Sequence, residues 1–319
     1  MKRLFFVILS SCLLTGSAHA TLFDWQVIGD AGNTVNSNGF GRVDYEYKIG
    51  TYEVTNSQYA IFLNAVAKSD PNGLYSTLMS SSTHGGILRS GSPGSYTYSV
   101  KANYDQRPVT YVNWYDSARY VNWLQNGMQS VASTTESGAY VFIGQYDVQL
   151  VGGVTYRQPT ADVFLPSADE WYKAAFYDPN TGVYFTYAIG DYTITTSEAN
   201  YANSVGTTTE VGSYATPSPN DTFDQNGNVW EWNDTLLMSS DGIDFRDVFG
   251  GGWTSNVTFL DNTVTDSGKF FDPIKDREHL GFRIASVLTF DNGGVPIPEP
   301  STIILGLIAV TLAAMRKRK

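Results

Sequence analysis

The stretch "FDQNGNVWEW", Phe223 to Trp232, packs two carboxylates, three side-chain amides, a glycine and two tryptophans into ten residues. It is too polar for a core strand and too aromatic for an ordinary surface turn. Asp224, Asn226 and Asn228 alternate and Glu231 follows, a dense set of the hard oxygen donors that Ca²⁺ takes six to eight of. The spacing is not that of an EF-hand, because the glycine and the last glutamate come too early. A second interpretation needs no ion: Trp230 and Trp232 pack inward while the polar side chains close a turn through Asx-type bonds. On the residues alone both stand.

The two ends of the chain carry targeting information. Residues 1–20 open with Met1-Lys2-Arg3, run through "LFFVILSSCLLTGSA" and close on Ala18-His19-Ala20, the pattern of a signal peptide cut by signal peptidase. At the other end, an apolar run from Ile303 to Met315 is closed by Arg316-Lys317-Arg318-Lys319 and preceded by Pro298-Glu299-Pro300. Triplet, apolar run and basic end, in that order, resemble the PEP-CTERM sorting signal of Gram-negative bacteria over residues 298–319. That resemblance implies transient inner-membrane anchoring, cleavage by an exosortase-type sorting enzyme and residence at the cell surface or in the extracellular matrix.

Between the ends, residues 21–288 read as one domain and 289–297 as a linker. The 20 Lys and Arg include six in the two terminal segments, so residues 21–300 hold 14 cations against 31 acids, a net charge of −17. Such a balance opposes nucleic-acid and anionic-membrane binding and suits soluble export or cation binding. The chain's one cysteine, Cys12, lies in the signal segment, so the exported part has no disulfide, thiolate metal site or cysteine nucleophile.

Three helices announce themselves through their caps. Thr55-Asn56-Ser57-Gln58 is a capping box followed by Tyr59, Phe62, Leu63 and Val66 on one face. Asn113 can cap a helix in which Trp114, Ala118, Val121 and Leu124 share a face. Ser167-Ala168-Asp169-Glu170 is another capping box, leading into Trp171, Ala174 and Ala175. The rest is rich in Gly, Ser, Thr, Asn and Tyr with short apolar runs, which predicts short strands and long ordered loops without βαβ repetition. Residues 69–104 read as a long surface insertion.

"YEVTNSQYAIFLNAV", "RPVTYVNWYDSARYVNWL", "FLPSADEWYKAAFY", "FDQNGNVWEW", "GGGWTS" and "LGFRIA" resemble, in order, the successive motifs of the formylglycine-generating enzyme family, the sulfatase-modifying factor domain, over about residues 45–287. The resemblance implies an irregular, loop-rich α+β fold related to C-type lectin domains. It also implies that the opening stretch holds a structural Ca²⁺ through the carboxylates of Asp224 and Glu231 and the carbonyls of Gly227 and Val229. A second calcium site is implied at Asn200 and Tyr201, in a loop shorter than the enzymes have.

The family's enzymes oxidise a sulfatase cysteine with molecular oxygen and copper held by two cysteines of the segment G-G-S-Y-x-C-x-x-x-x-C. Here that segment reads "GGGWTSNVTFL", with Ser255 and Leu260 at the cysteine positions and Gly252 at the serine. Copper(I) needs soft thiolates, which a hydroxyl and an isobutyl group do not supply. The related iron enzymes use three histidines, and beyond His19 this chain has two, His84 and His279, each read as a solvated surface residue. No copper or iron is expected. Trp253, Asn256 and Arg283 remain as a candidate pocket, with Arg283 also able to form a buried ion pair. The resulting expectation is an exported, catalytically inactive binding module for a glycan or a protein. The alternative is an oxidoreductase or other enzyme of the family that uses residues other than cysteine.

Overall fold

The computed structural model describes residues 22–153, 155–238, 244–263 and 270–289. The signal segment and the Pro298–Lys319 tail lie outside the described residues, as does most of the linker. No helix among the described residues is long and apolar enough to cross a membrane.

The three expected helices form where their caps predict. Thr55 caps α1, Asn56–Val66, with Gln58 returning a side-chain bond to the cap backbone. Short α2 is Leu78–Ser81, α3 is Trp114–Gln125 with an Asn113–Asp116 capping box, and α4 is Ala168–Phe176 with a Ser167–Glu170 box. Each box satisfies two backbone donors that the first turn leaves without partners. The expected apolar face of α3 is only part of its burial, because every residue from Trp114 to Leu124 is enclosed. Its polar residues tolerate this because they are paired: Arg119 holds both oxygens of Glu136 at 2.9 and 3.1 Å, and the Asn122 amide donates to the carbonyls of Thr135 and Tyr140.

Two four-stranded sheets organise the rest. One is antiparallel, in the order Trp25–Ile28, Tyr47–Gly50, Ala285–Ser286, Val163–Phe164. The other runs Phe270–Phe271, Asp244–Phe249, Trp230–Met238, Leu280–Phe282, and its last pair is parallel, with Glu231 opposite Gly281. The chain leaves Leu280–Phe282 in one sheet and enters Ala285–Ser286 in the other through Arg283 and Ile284, so those two residues join the sheets. The insertion is less superficial than its composition predicts. It folds into α2 and a hairpin of Ile87–Ser90 with Thr97–Val100, and it buries Met79, Ile87 and Tyr98.

Asp116 shows burial overriding a helix terminus. An acid in the first turn is normally stabilised in its charged form by the helix dipole. Here complete burial pushes its pKa from 3.8 up to about 8, against the lowering effects of its bond from the Asn113 amide and of Arg119. The folded protein thus keeps a proton that the unfolded chain releases near 3.8, so stability falls as pH rises from about 4 through about 8. Asp116→Asn keeps an acceptor without the charge. Thermal melts should show the variant close to wild type below about pH 4 and more stable than wild type at pH 9. Parallel pH profiles for the two proteins would contradict this assignment.

Candidate functional site

The opening stretch is a hub whose polar side chains point inward. Asp224, Gly227 and Asn228 all take positive φ, at 61°, 86° and 55°, conformations that Asn, Asp and Gly tolerate best. Gly227 is also required by space, since a Cβ there would lie 2.2 Å from the Asn200 carbonyl oxygen. Asn226 accepts from the Ala188 amide at 2.6 Å and donates to the Leu260 carbonyl at 2.9 Å. Asn228 accepts from the Thr209 amide at 3.0 Å and donates to Glu53 Oε1 at 3.0 Å. Trp232 is fully buried, and its indole donates to the Val112 carbonyl.

At the end of the stretch Glu231 meets Arg283, both wholly buried. The guanidinium forms a two-pronged contact, Nε to Oε2 and Nη2 to Oε1, each 2.6 Å. The Trp171 indole adds a third donor to Oε2 at 2.7 Å. The remaining guanidinium hydrogens go to the carbonyls of Gly50, Thr51 and Phe223.

Two further acids surround this pair. Asp224 Oδ2 accepts from the Gly212 amide at 2.6 Å. Glu53, buried just before α1, keeps Oε2 without any hydrogen-bond partner. Desolvation and then repulsion from Asp224 and Glu231 push the Glu53 carboxyl well above its usual range. Desolvation, with Glu231 adding, pushes Asp224 up to about 6 although the Gly212 bond and Arg283 oppose it. Burial would lower the Arg283 pKa, but Glu231, Glu53 and Asp224 together raise it. Three buried carboxylates therefore face one buried cation.

That imbalance bears on Ca²⁺. Glu231 has most of its lone pairs committed to Arg283 and Trp171, whereas Glu53 Oε2 has no hydrogen-bond partner, and three acids share one buried cation, a donor set of the type a divalent cation takes. Among the described residues no three His, Cys, Asp or Glu side chains could hold a metal by themselves, so carbonyl and amide oxygens would have to supply much of the shell. The neighbouring loop offers one: Asn200 is buried, donates to the Thr207 carbonyl at 2.9 Å and leaves Oδ1 without a partner. The Tyr201 carbonyl accepts from Ser204. The donor set fits a hard cation, and it includes Glu53, which the sequence pattern missed because it stands alone in "YEVTN".

The segment from Gly250 to Leu260 packs against this hub. Leu260 is 1% exposed and clusters with Ala199 and Tyr201. Ser255 turns its hydroxyl back to accept from the Gly252 amide at 2.9 Å. A Cβ at Gly252 would lie 3.1 Å from both the Cβ and the carbonyl oxygen of His279. Trp253 is buried and donates to the Glu278 carbonyl at 3.3 Å. His84, from the insertion, lies against Trp253 with ring centroids 4.9 Å apart and ring planes tilted by 33°, so it is a cover for the indole and not a freely solvated residue. His279 is also partly enclosed: burial lowers its pKa and its Nδ1 has no hydrogen-bond partner. The three candidate pocket residues sit in three settings: Trp253 under His84, Arg283 in its ion pair and Asn256 exposed.

Comparison with known proteins places this geometry. No curated protein matches the chain. Among solved structures it resembles CarF, with 22% identity, a TM-score of 0.57 and coverage of 84% of this chain and 100% of CarF. It also resembles Treponema denticola variable protein 1, with 20% identity, a TM-score of 0.53 and coverage of 83% and 95%. These likenesses support the loop-rich mixed α/β fold. The model of the sulfatase-modifying factor enzyme 1-like domain matches residues 38–288, and the chain belongs to that family.

Proposed function

We propose that this protein is an exported, catalytically silent member of the family that acts as a surface or extracellular binding module for a glycan or a protein. The observation that carries this reading is the filled catalytic segment. Leu260 is packed into a hydrophobic cluster, the Ser255 hydroxyl is tied to Gly252, and His84 lies across Trp253. Neither side chain at the family's cysteine positions can bind copper(I). An enzyme built instead on Ser255, Asn256 and Arg283 is disfavoured because Arg283 is consumed by Glu231 and three carbonyls.

Export rests on the signal segment and the Pro298-Glu299-Pro300 tail, with signal peptidase and an exosortase-type enzyme as processing partners. The protein recovered from the culture fluid or cell surface should have an intact mass that starts near Thr21 and lacks the Arg316–Lys319 end. The same material, incubated with copper and a sulfatase-type cysteine peptide, should leave the peptide mass unchanged. A formylglycine product would sink the silent reading, and an intact basic end would sink the sorting reading.

Structural Ca²⁺ is part of the proposal, held at the hub by Asp224 and Glu231 with the Gly227 and Val229 carbonyls, and with Glu53 as an added acid. A second ion would sit at Asn200, whose Oδ1 has no hydrogen-bond partner, and Tyr201. The ion would neutralise the excess of buried negative charge and do no chemistry. A ligand specific to the folded state stabilises it by about 2.7 kcal/mol at one hundred times its Kd. The melting temperature should therefore fall in chelator, recover with Ca²⁺ better than with Mg²⁺, and lose this response in Asp224→Asn. Glu231→Gln is a poor probe, because it also breaks the Arg283 pair. A wild-type melting temperature indifferent to chelator would leave the hub as an Asx-bonded turn alone.

A further inference from the structure

The net charge of −17 on residues 21–300 is not evenly spread. From Val54 to Tyr104, the stretch that carries α1 and the insertion, the chain holds three cations, Lys68, Arg89 and Lys101, against one acid, Asp70, a local balance of 3 − 1 = +2. Charges farther away than about 8–10 Å are screened at physiological salt, so an anion approaching this stretch is spared most of the repulsion from the acidic remainder.

Arg89 stands in the insertion's hairpin opposite Tyr98. Its guanidinium carbon lies 4.5 Å from the centroid of the Tyr75 ring and 4.4 Å from that of Tyr96. Two aromatic rings thus hold the planar fork in place before any ligand arrives. Yet the fork is little used. Its acid contact is a single bond from Nη1 to Asp70 Oδ2, 3.4 Å long, whereas Arg119, Arg157 and Arg283 each take both oxygens of a glutamate at 2.6–3.1 Å. Asp70 is also engaged by the Leu74 and Tyr75 amides at 2.8 and 3.3 Å; burial raises its pKa, and Arg89 opposes that rise less than either amide does. The Tyr98 hydroxyl, which donates to the Ala67 carbonyl at 2.8 Å, is near enough for Arg89 to offset part of the rise that burial causes in its pKa. Asp70 and Tyr98 are the acceptors that Arg89 has among the described residues, and they leave most of its five donor hydrogens unclaimed on a side chain that is 24% exposed.

We propose that Arg89 binds the oxyanion of an acidic glycan, a carboxylate or a sulfate ester carried on a sugar ring. The inference rests on the binding-module reading above and gives that module a location and a ligand class. An edge of the guanidinium presents two parallel N–H donors to two oxygens of the anion. Exposed Lys68, whose carbonyl accepts from the Gly94 and Tyr96 amides at 2.9 and 3.1 Å, adds a second cation beside the hairpin turn. A nucleic acid, charged every few ångströms, would press further phosphates on the acidic remainder, whereas a glycan whose charges are spaced by neutral rings needs to bring only one to this site.

Calorimetric titration of the full exported protein with trigalacturonate, with a sulfated carrageenan tetrasaccharide and with neutral cellotriose tests this. At least one of the two acidic oligosaccharides should bind with a Kd near 1 mM at low salt and weaken as salt is raised, with cellotriose at least tenfold weaker. Which of the two binds separates carboxylate from sulfate recognition. Arg89→Gln should weaken binding roughly tenfold, and Arg89→Lys, which keeps the charge but not the fork, should lose most of the same affinity. Asp70→Asn removes the competing acid and should tighten binding severalfold, a gain that no misfolded variant gives. The proposal is overturned if neither acidic oligosaccharide binds better than cellotriose, or if Arg89→Gln and Asp70→Asn both bind like wild type. Cellotriose binding alone would leave the module reading standing without an anion site, and indifference to both variants would place the acidic glycan elsewhere on the module.

Discussion

Arg283 and Glu231 form the contact on which the architecture depends. Both are fully buried, and each 2.6 Å hydrogen bond of the pair is charge-assisted. Removing two charges from water is expensive, and such a pair is tolerable only when every remaining donor is satisfied. Here the carbonyls of Gly50, Thr51 and Phe223 meet that condition, and the Trp171 indole donates in turn to Glu231. Those partners come from the first sheet, the segment before α1, the polar hub and α4. One guanidinium thus fixes the junction where the chain passes from one sheet to the other. A lysine could not reproduce it, because a point charge lacks the planar fork that reaches carboxylate and carbonyls together.

The same junction gathers more acid than its one cation can pair. Glu53 and Asp224 add two acids that Arg283 does not neutralise, and their raised pKa values register the strain. Nearby in the fold, Leu260 packs with Ala199 and Tyr201 and the Ser255 hydroxyl accepts from the Gly252 amide, so each is fitted to its surroundings.

Much of this was legible in the sequence where the determinants are local. Thr55, Asn113 and Ser167 identify helix starts because a cap and its third residue lie within one turn. Gly227 marks a tight approach, and the density of Asx residues around it marks a bonded loop. The irregular α+β class follows from the many turn residues between short apolar runs. What escaped is long-range. Nothing in "YEVTN" shows that Glu53 will face Asp224, which is far along the chain. The insertion's composition does not reveal that His84 will cover Trp253, or that Met79 and Ile87 will be buried. α3 reads as amphipathic although it is enclosed all round, because the partners of Arg119 and Asn122 lie in loops whose course no periodicity encodes.

A double-mutant cycle between Glu231 and Arg283 tests the central claim most directly. Chemical denaturation of wild type, Glu231→Gln, Arg283→Met and the double variant gives the coupling free energy between the two side chains. If this pair holds the junction, each single variant loses about 3–5 kcal/mol by stranding a buried partner. The double variant then loses much less than the sum, with a coupling of about 2–3 kcal/mol. Losses that add to within about 0.5 kcal/mol would show two independent buried residues and contradict the account.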